Sequence, residues 1–144
     1  MRTQLNTEPK ILIVEDDPIS SFIIEKYLEN KFKWDRVSNG YDAIKLMETG
    51  NYEIVLMDIN LGDEKMDGIR TMRTIRLNRK YRNTKIIAVT SHANSRECYL
   101  KLGFDEFFMK PVDENIEDLI KKTLTLPAHT EHLAAWHYFS KNMV

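Results

Sequence analysis

The chain has 144 residues, 42% hydrophobic and 30% charged, with a formal net charge of −1. That size and balance suit one soluble globular domain with a single core. They give no global bias towards nucleic acid or an anionic membrane, and no Lys/Arg run is long enough to form a binding tail. The opening residues, Met1 to Lys10, are polar and do not form a secretory signal. No apolar run approaches the ~20 residues that span a bilayer. Cys98 is the single cysteine, so no intrachain disulfide can form. The expectation is a cytoplasmic protein with no membrane and no nucleic-acid partner.

Ile11-Leu12-Ile13-Val14 is a short, all-apolar run, the pattern of a strand buried on both faces. A helix over Pro18 to Leu28 follows, with Ile19, Phe22, Ile23 and Tyr27 at helical spacing and Pro18 suited to a first turn. Phe32 to Val37 predicts a second, weaker strand. Asn39-Gly40 marks a turn, and Tyr41 to Met47 returns to helical spacing. Ile54 to Met57 is the third strand, ending at Asp58. After a polar loop, a helix runs from Gly68 to Asn78, with Ile69, Met72, Ile75 and Arg76 in register. Ile86 to Val89 is the fourth strand and stops at Thr90. A short helix over Ala93 to Lys101 is closed by Gly103. Glu106 to Met109 is the fifth strand, followed by Lys110-Pro111. Asp113 is placed to cap a fifth helix over Glu114 to Leu124, and Pro127 breaks the chain.

Five short strands alternating with five helices predict an α/β class fold, a doubly wound five-stranded parallel sheet with helices on both faces. Such sheets bind ligands at the carboxyl ends of their strands. Those ends carry Glu15, Asp16 and Asp17 after the first strand and Asp58 after the third. Thr90 and Ser91 follow the fourth strand, and Lys110 follows the fifth. Polar loops begin at strand ends in any protein, but one functional type per strand end is a pattern. Carboxylates held close together repel one another, and a hard divalent cation relieves this. Mg²⁺ suits the set, since it takes one or two carboxylates plus phosphate oxygens. One Asp oxygen would remain free to attack a phosphoryl group, with a lysine and a hydroxyl to neutralise its oxygens.

The acidic pair after Ile-Leu-Ile-Val, then Val-Leu-Met-Asp58, Met66-Asp67-Gly68, Ala88-Val89-Thr90-Ser91 and Lys110-Pro111 together resemble the response-regulator receiver domain of two-component signalling. The resemblance covers residues 9–124 and implies the flavodoxin-like receiver fold. It implies Asp58 as phosphoacceptor, Asp16 as direct metal ligand, Glu15 as a support through water and the Asn60 backbone carbonyl as a further ligand. Thr90 and Lys110 would contact the phosphoryl group. The implied cofactor is Mg²⁺, and the implied donor is a sensor histidine kinase or histidine phosphotransfer protein. The output would be a changed surface on the fourth helix, fifth strand and fifth helix, used by a downstream protein or a homodimer. Beyond its own phosphorylation and dephosphorylation, no enzyme activity is implied.

Asp17 follows the acidic pair and suits the start of the first helix. Phe107 stands where the family has an aromatic switch residue, often Tyr; a plain core phenylalanine is the alternative. The loop from Ile59 to Lys65 looks about two residues longer than the family form. Asn60 and His92 fall at positions that in the family tune water access to the acyl phosphate; His92 equally suits an ordinary exposed loop.

Residues 125–144 are expected to form a C-terminal extension, a short helix carrying Leu133, Trp136, Tyr138 and Phe139. It would pack on the domain's own surface or on a partner, and it is expected to be too short for an output domain. Three other functions compete. A haloacid-dehalogenase-like Mg²⁺ phosphatase wants an acid two residues after the nucleophile, where this chain has Asn60. A flavodoxin-like cofactor binder wants an anion loop where this chain has Glu15-Asp16-Asp17. A degenerate receiver acting as a scaffold would not need the intact acidic set.

Overall fold

The computed structural model describes residues 8–92 and 94–128. Five strands form one parallel sheet: β1 (Lys10–Val14), β2 (Lys33–Val37), β3 (Ile54–Asp58), β4 (Lys85–Thr90) and β5 (Glu106–Met109), in the order β2-β1-β3-β4-β5. The helices between them are α1 (Pro18–Leu28), α2 (Gly40–Thr49), α3 (Gly68–Leu77), α4 (Arg96–Leu102) and α5 (Asn115–Leu124). This is the doubly wound architecture expected from the alternation.

Both sheet faces are buried, and the period of two along each strand sorts the apolar residues between them. Leu12, Val14, Val55, Met57, Ile86 and Ala88 pack in one layer with Ala43, Met47, Met72 and Ile75 of α2 and α3. Ile11, Ile13, Ile54, Leu56, Ile87 and Val89 pack in the other with Ile24, Leu28, Ile116 and Ile120 of α1 and α5.

Four helices begin on a side-chain cap. Asp17, Asn39, Asp67 and Ser95 each accept the backbone N–H of the residue three positions on. Asp17 therefore starts α1, as its position suggested. Asp113 accepts the Asn115 N–H at 2.9 Å, so it serves the start of α5 as expected.

The differences from expectation are local. Phe32 lies before β2 rather than in it: its N–H bonds the Leu28 carbonyl, and its ring joins the α1 and α5 layer. A 3₁₀ turn, Arg79–Tyr81, precedes β4 and is too short to show a period. α4 begins at Arg96, because Ser95 supplies the cap. Near the end of the described residues, the Pro127 carbonyl accepts a hydrogen bond from Lys85 Nζ at 3.1 Å. Of the expected C-terminal extension, 125–144, residues 129–144 lie outside the described residues.

At the amino edge of the sheet, Arg76 turns inward. It meets Asp105 at 2.6 Å and donates to the Thr84 carbonyl at 2.6 Å and the Tyr81 carbonyl at 3.2 Å. Asp105 also accepts the Ile86 N–H at 2.8 Å. One buried ion pair thereby joins the end of α3, the entry to β4 and the entry to β5.

Candidate functional site

The strand order reverses between β1 and β3, which opens the crevice where doubly wound sheets bind ligands. β1 delivers Glu15 and Asp16 there, β3 delivers Asp58, β4 delivers Thr90, and Lys110 follows β5. The cleft has a volume of about 600 Å³, and its lining includes Asp16, Asp58, Asn60, Thr90 and Lys110. All the expected site residues except Phe107 thus reach the same edge.

Carboxylate oxygens of Glu15, Asp16 and Asp58 lie within 4.8 Å of one another. Glu15 is 1% exposed and Asp58 6%, whereas Asp16 faces solvent. Lys110 Nζ is 2.6 Å from Glu15 Oε1 and 3.4 Å from Asp58 Oδ1. One ammonium therefore serves two buried carboxylates. Glu15 Oε2 is buried and has no hydrogen-bond donor. Burial, then the neighbouring Glu15 carboxylate, pushes Asp58 up to about 8, with Lys110 opposing the rise. Burial also works against the Lys110 ammonium, but Glu15 and Asp58 outweigh it and hold its pKa above the usual lysine value.

This donor set fits a hard divalent cation. Three carboxylates, one buried oxygen without a donor and a single lysine leave an excess of negative charge that oxygen-seeking Mg²⁺ would balance.

The surrounding loops hold the other groups. The Asn60 N–H points to Asp58 Oδ1 at 3.3 Å, while its side-chain oxygen accepts the Gly62 N–H at 3.2 Å. Gly62 turns the chain at φ +74°, and a Cβ there would press on Asp16 Oδ2. Leu61 anchors this long loop: it is 5% exposed and belongs to the core layer, a role its place in a polar loop did not reveal. Asp67 caps α3, and Gly68 lets the helix start against β3, since a Cβ there would collide with the Asp58 carbonyl oxygen. The Thr90 hydroxyl accepts the His92 N–H at 3.2 Å, and the His92 side chain is exposed. Phe107 sits away from the cleft, half-buried and stacked on Tyr99 with ring centroids 4.8 Å apart and planes 4° apart.

Comparison with known proteins agrees with this geometry. The family model described as the response regulator receiver domain matches residues 11–123. The chain belongs to the response-regulator receiver family. A curated relative is the sensor histidine kinase GacS of Pseudomonas protegens, 32% identical over an alignment of 112 residues that covers 74% of this chain. The match covers 12% of GacS, so the chain spans only a small part of that relative's length, and the similarity is to its receiver domain. A solved receiver domain of a Pseudomonas aeruginosa sensor histidine kinase superposes with a TM-score of 0.74 at 27% identity. The match covers 83% of this chain and 99% of that one, and that structure has a magnesium ion coordinated in its active-site cleft. A putative response regulator from Chloroflexus aurantiacus gives a TM-score of 0.76 at 18% identity, over 83% of this chain and 99% of that one, and shares the fold. This receiver is thus homologous to those of sensor kinases and response regulators, and its family is a signalling module. No helix among the described residues is long and apolar enough to cross a membrane.

Proposed function

We propose that this receiver takes a phosphoryl group on Asp58 and uses it to switch a protein-binding surface. The donor is a phosphohistidine on a sensor kinase or a phosphotransfer protein. The observation that carries the reading is the meeting of Glu15, Asp16 and Asp58 within 4.8 Å beside Lys110.

In the transfer, an Asp58 carboxylate oxygen attacks phosphorus in line. The P–O bond forms as the P–N bond to the donor imidazole breaks, and the imidazole leaves with the bonding pair. Asp16 and Asp58 would hold Mg²⁺ directly, Glu15 through water and Asn60 through its carbonyl. Bound there, the ion neutralises charge on the phosphoryl oxygens and allows Asp58 to stay ionised. Lys110 moves its pairing from the carboxylates to a phosphoryl oxygen. The Thr90 hydroxyl turns to donate to another. Water hydrolyses the acyl phosphate in the reverse limb, so turnover is limited to the domain's own phosphate.

The signal leaves through β4 and β5. Movement of Thr90 opens space beside β5, and Phe107 would slide from its stack on Tyr99, which lies on α4. The face of α4, β5 and α5 then changes for a downstream protein or a second copy. Such a module works in the cytoplasm, where its kinases present their phosphohistidines.

The test is incubation with Mg²⁺ and acetyl phosphate, read by intact mass. A hydroxylamine-labile gain of one phosphoryl group is expected, absent with EDTA and absent in Asp58→Asn. No gain in the wild-type chain, with the fold intact, would leave a receiver that serves as an interaction scaffold.

A further inference from the structure

Positive charge is unevenly placed along this chain. Between Asp67 and Glu97 there are eight Lys and Arg residues and no Asp or Glu, although the whole chain carries a net −1. Only part of that charge serves the interior: Arg76 is buried against Asp105, and Lys85 is buried at the start of β4. Arg96 starts α4 and pairs with Glu106, and the remaining five reach the surface along α3, the 3₁₀ turn and the residue after it. Arg70, Arg79, Lys80 and Arg82 are exposed, Arg73 is half-buried, and exposed Lys65 lies just before the helix. Thr71, Met72 and Ile75 face the core, which leaves Arg70, Arg73 and Thr74 on the outer face, three and four residues apart. Lys65, Met66, Arg70, Arg73 and Thr74 line a groove of about 410 Å³. Among the described residues, no ion pair forms at Lys65, Arg70, Lys80 or Arg82.

We infer that this α3 face is a docking surface for an acidic polypeptide segment of a partner protein. Charge complementarity gives the sign of the ligand. Length gives its class. Ten residues of α3 and three of the turn span about 20 Å, the reach of about six residues of extended peptide. A nucleic acid would need the basic track to continue. Instead Asp63, Glu64 and Asp67 close its amino-terminal end and would repel a phosphate backbone running past it. A short acidic segment can end before them. The contact lies on the opposite helix layer from α1 and α5 and does not depend on phosphorylation of Asp58.

The full chain should be titrated with an oligoglutamate peptide of about six residues, with oligoglutamine and short single- and double-stranded DNA as comparators. Backbone amide shifts give the location and fluorescence anisotropy gives the affinity. The expected result is binding of oligoglutamate alone, with shifts confined to residues 65–82. The affinity should fall about tenfold in Arg70→Glu/Arg73→Glu and weaken steeply with salt. Lys80→Glu/Arg82→Glu, at exposed positions, gives an independent reversal should the first variant fold poorly. DNA binding more tightly than the peptide through the same residues overturns the inference. So does the absence of any binding, or shifts lying elsewhere. A concentration-dependent dimer that charge reversal abolishes would assign the face to a second copy and overturn it too.

Discussion

Two buried ionic sites sit at opposite edges of the same sheet. At the amino edge, one guanidinium meets one carboxylate, and backbone groups serve both: the Thr84 and Tyr81 carbonyls for Arg76, the Ile86 N–H for Asp105. At the carboxyl edge, one ammonium is shared by Glu15 and Asp58, and a buried Glu15 oxygen has no donor. The first arrangement is balanced in charge within the protein, one cation to one anion, even though the buried Arg76 Nε has no acceptor among the described residues. The second becomes balanced only when something positive enters. Similar burial therefore marks a brace in one place and a binding site in the other, and the deciding quantity is the count of cations against carboxylates: one to one at the amino edge, one to three at the carboxyl edge.

The largest effect should come from removing charge at the balanced edge. Arg76→Ala would strand Asp105 in the interior and leave two carbonyls without their donor. Breaking such a pair costs about 3–5 kcal/mol. Denaturant unfolding should show a loss of that order, with acetyl phosphate labelling kept under conditions where the variant is folded. A loss near zero would mean that the amino edge is not a brace.

Removing charge at the other edge should act in the opposite direction. Asp58→Asn replaces a repelled carboxylate by a neutral amide that can donate to Glu15. Without metal, the variant should be more stable than wild type at pH 8, by about 1 kcal/mol. The pH dependence has a definite sign. Asp58 has a folded pKa raised from 3.8 to about 8, so its protonated form favours the folded state. That contribution is complete below 3.8 and is lost as pH rises towards about 8. Thermal unfolding without metal should therefore show wild type losing stability relative to Asp58→Asn across this window. Millimolar Mg²⁺ should remove most of the difference, and should do so more at pH 8 than at pH 5, because it competes with the proton. A Mg²⁺ effect independent of pH, or equal in the variant, would show that the ion does not bind at these carboxylates.

The two edges were not equally legible in the sequence. The carboxyl edge could be read because chain order delivers one polar type at each strand end, and apolar strands mark where those ends fall. Asp58, Glu15, Asp16, Thr90 and Lys110 all arrive there. The amino edge could not be read. Arg76 fits the helical period of α3 like an apolar residue, and its partner Asp105 lies 29 positions away with no spacing signal. Leu61 was hidden for a related reason: a single apolar residue in a polar loop has no period, and only the folded chain brings it to the core. Local patterns reveal elements and their ends. Pairings across elements need the fold.

A third ion pair lies between these extremes and should give the smallest effect. Arg96, at the start of α4, makes two hydrogen bonds to Glu106 on β5, at 2.6 and 2.9 Å. The Glu106 side chain is 7% exposed, but that of Arg96 is 59% exposed, so water screens much of the attraction. Burial alone would raise the Glu106 pKa. Arg96 and the Phe107 N–H outweigh it and hold the carboxyl below its usual 4.5. This depressed value contributes stability above the unfolded pKa, and the contribution is lost as pH falls through the folded one. Arg96→Met should therefore cost only about 0.5 kcal/mol at neutral pH and should flatten the acid limb of the stability profile. The variant would also loosen the tie between α4 and β5 beside the Tyr99–Phe107 stack. If that stack reports phosphorylation, the amide shifts of Tyr99 and Phe107 in unphosphorylated Arg96→Met should move part of the way to their phosphorylated positions. Shifts that stay at the wild-type values would mean that Arg96 fastens the helix without biasing the switch.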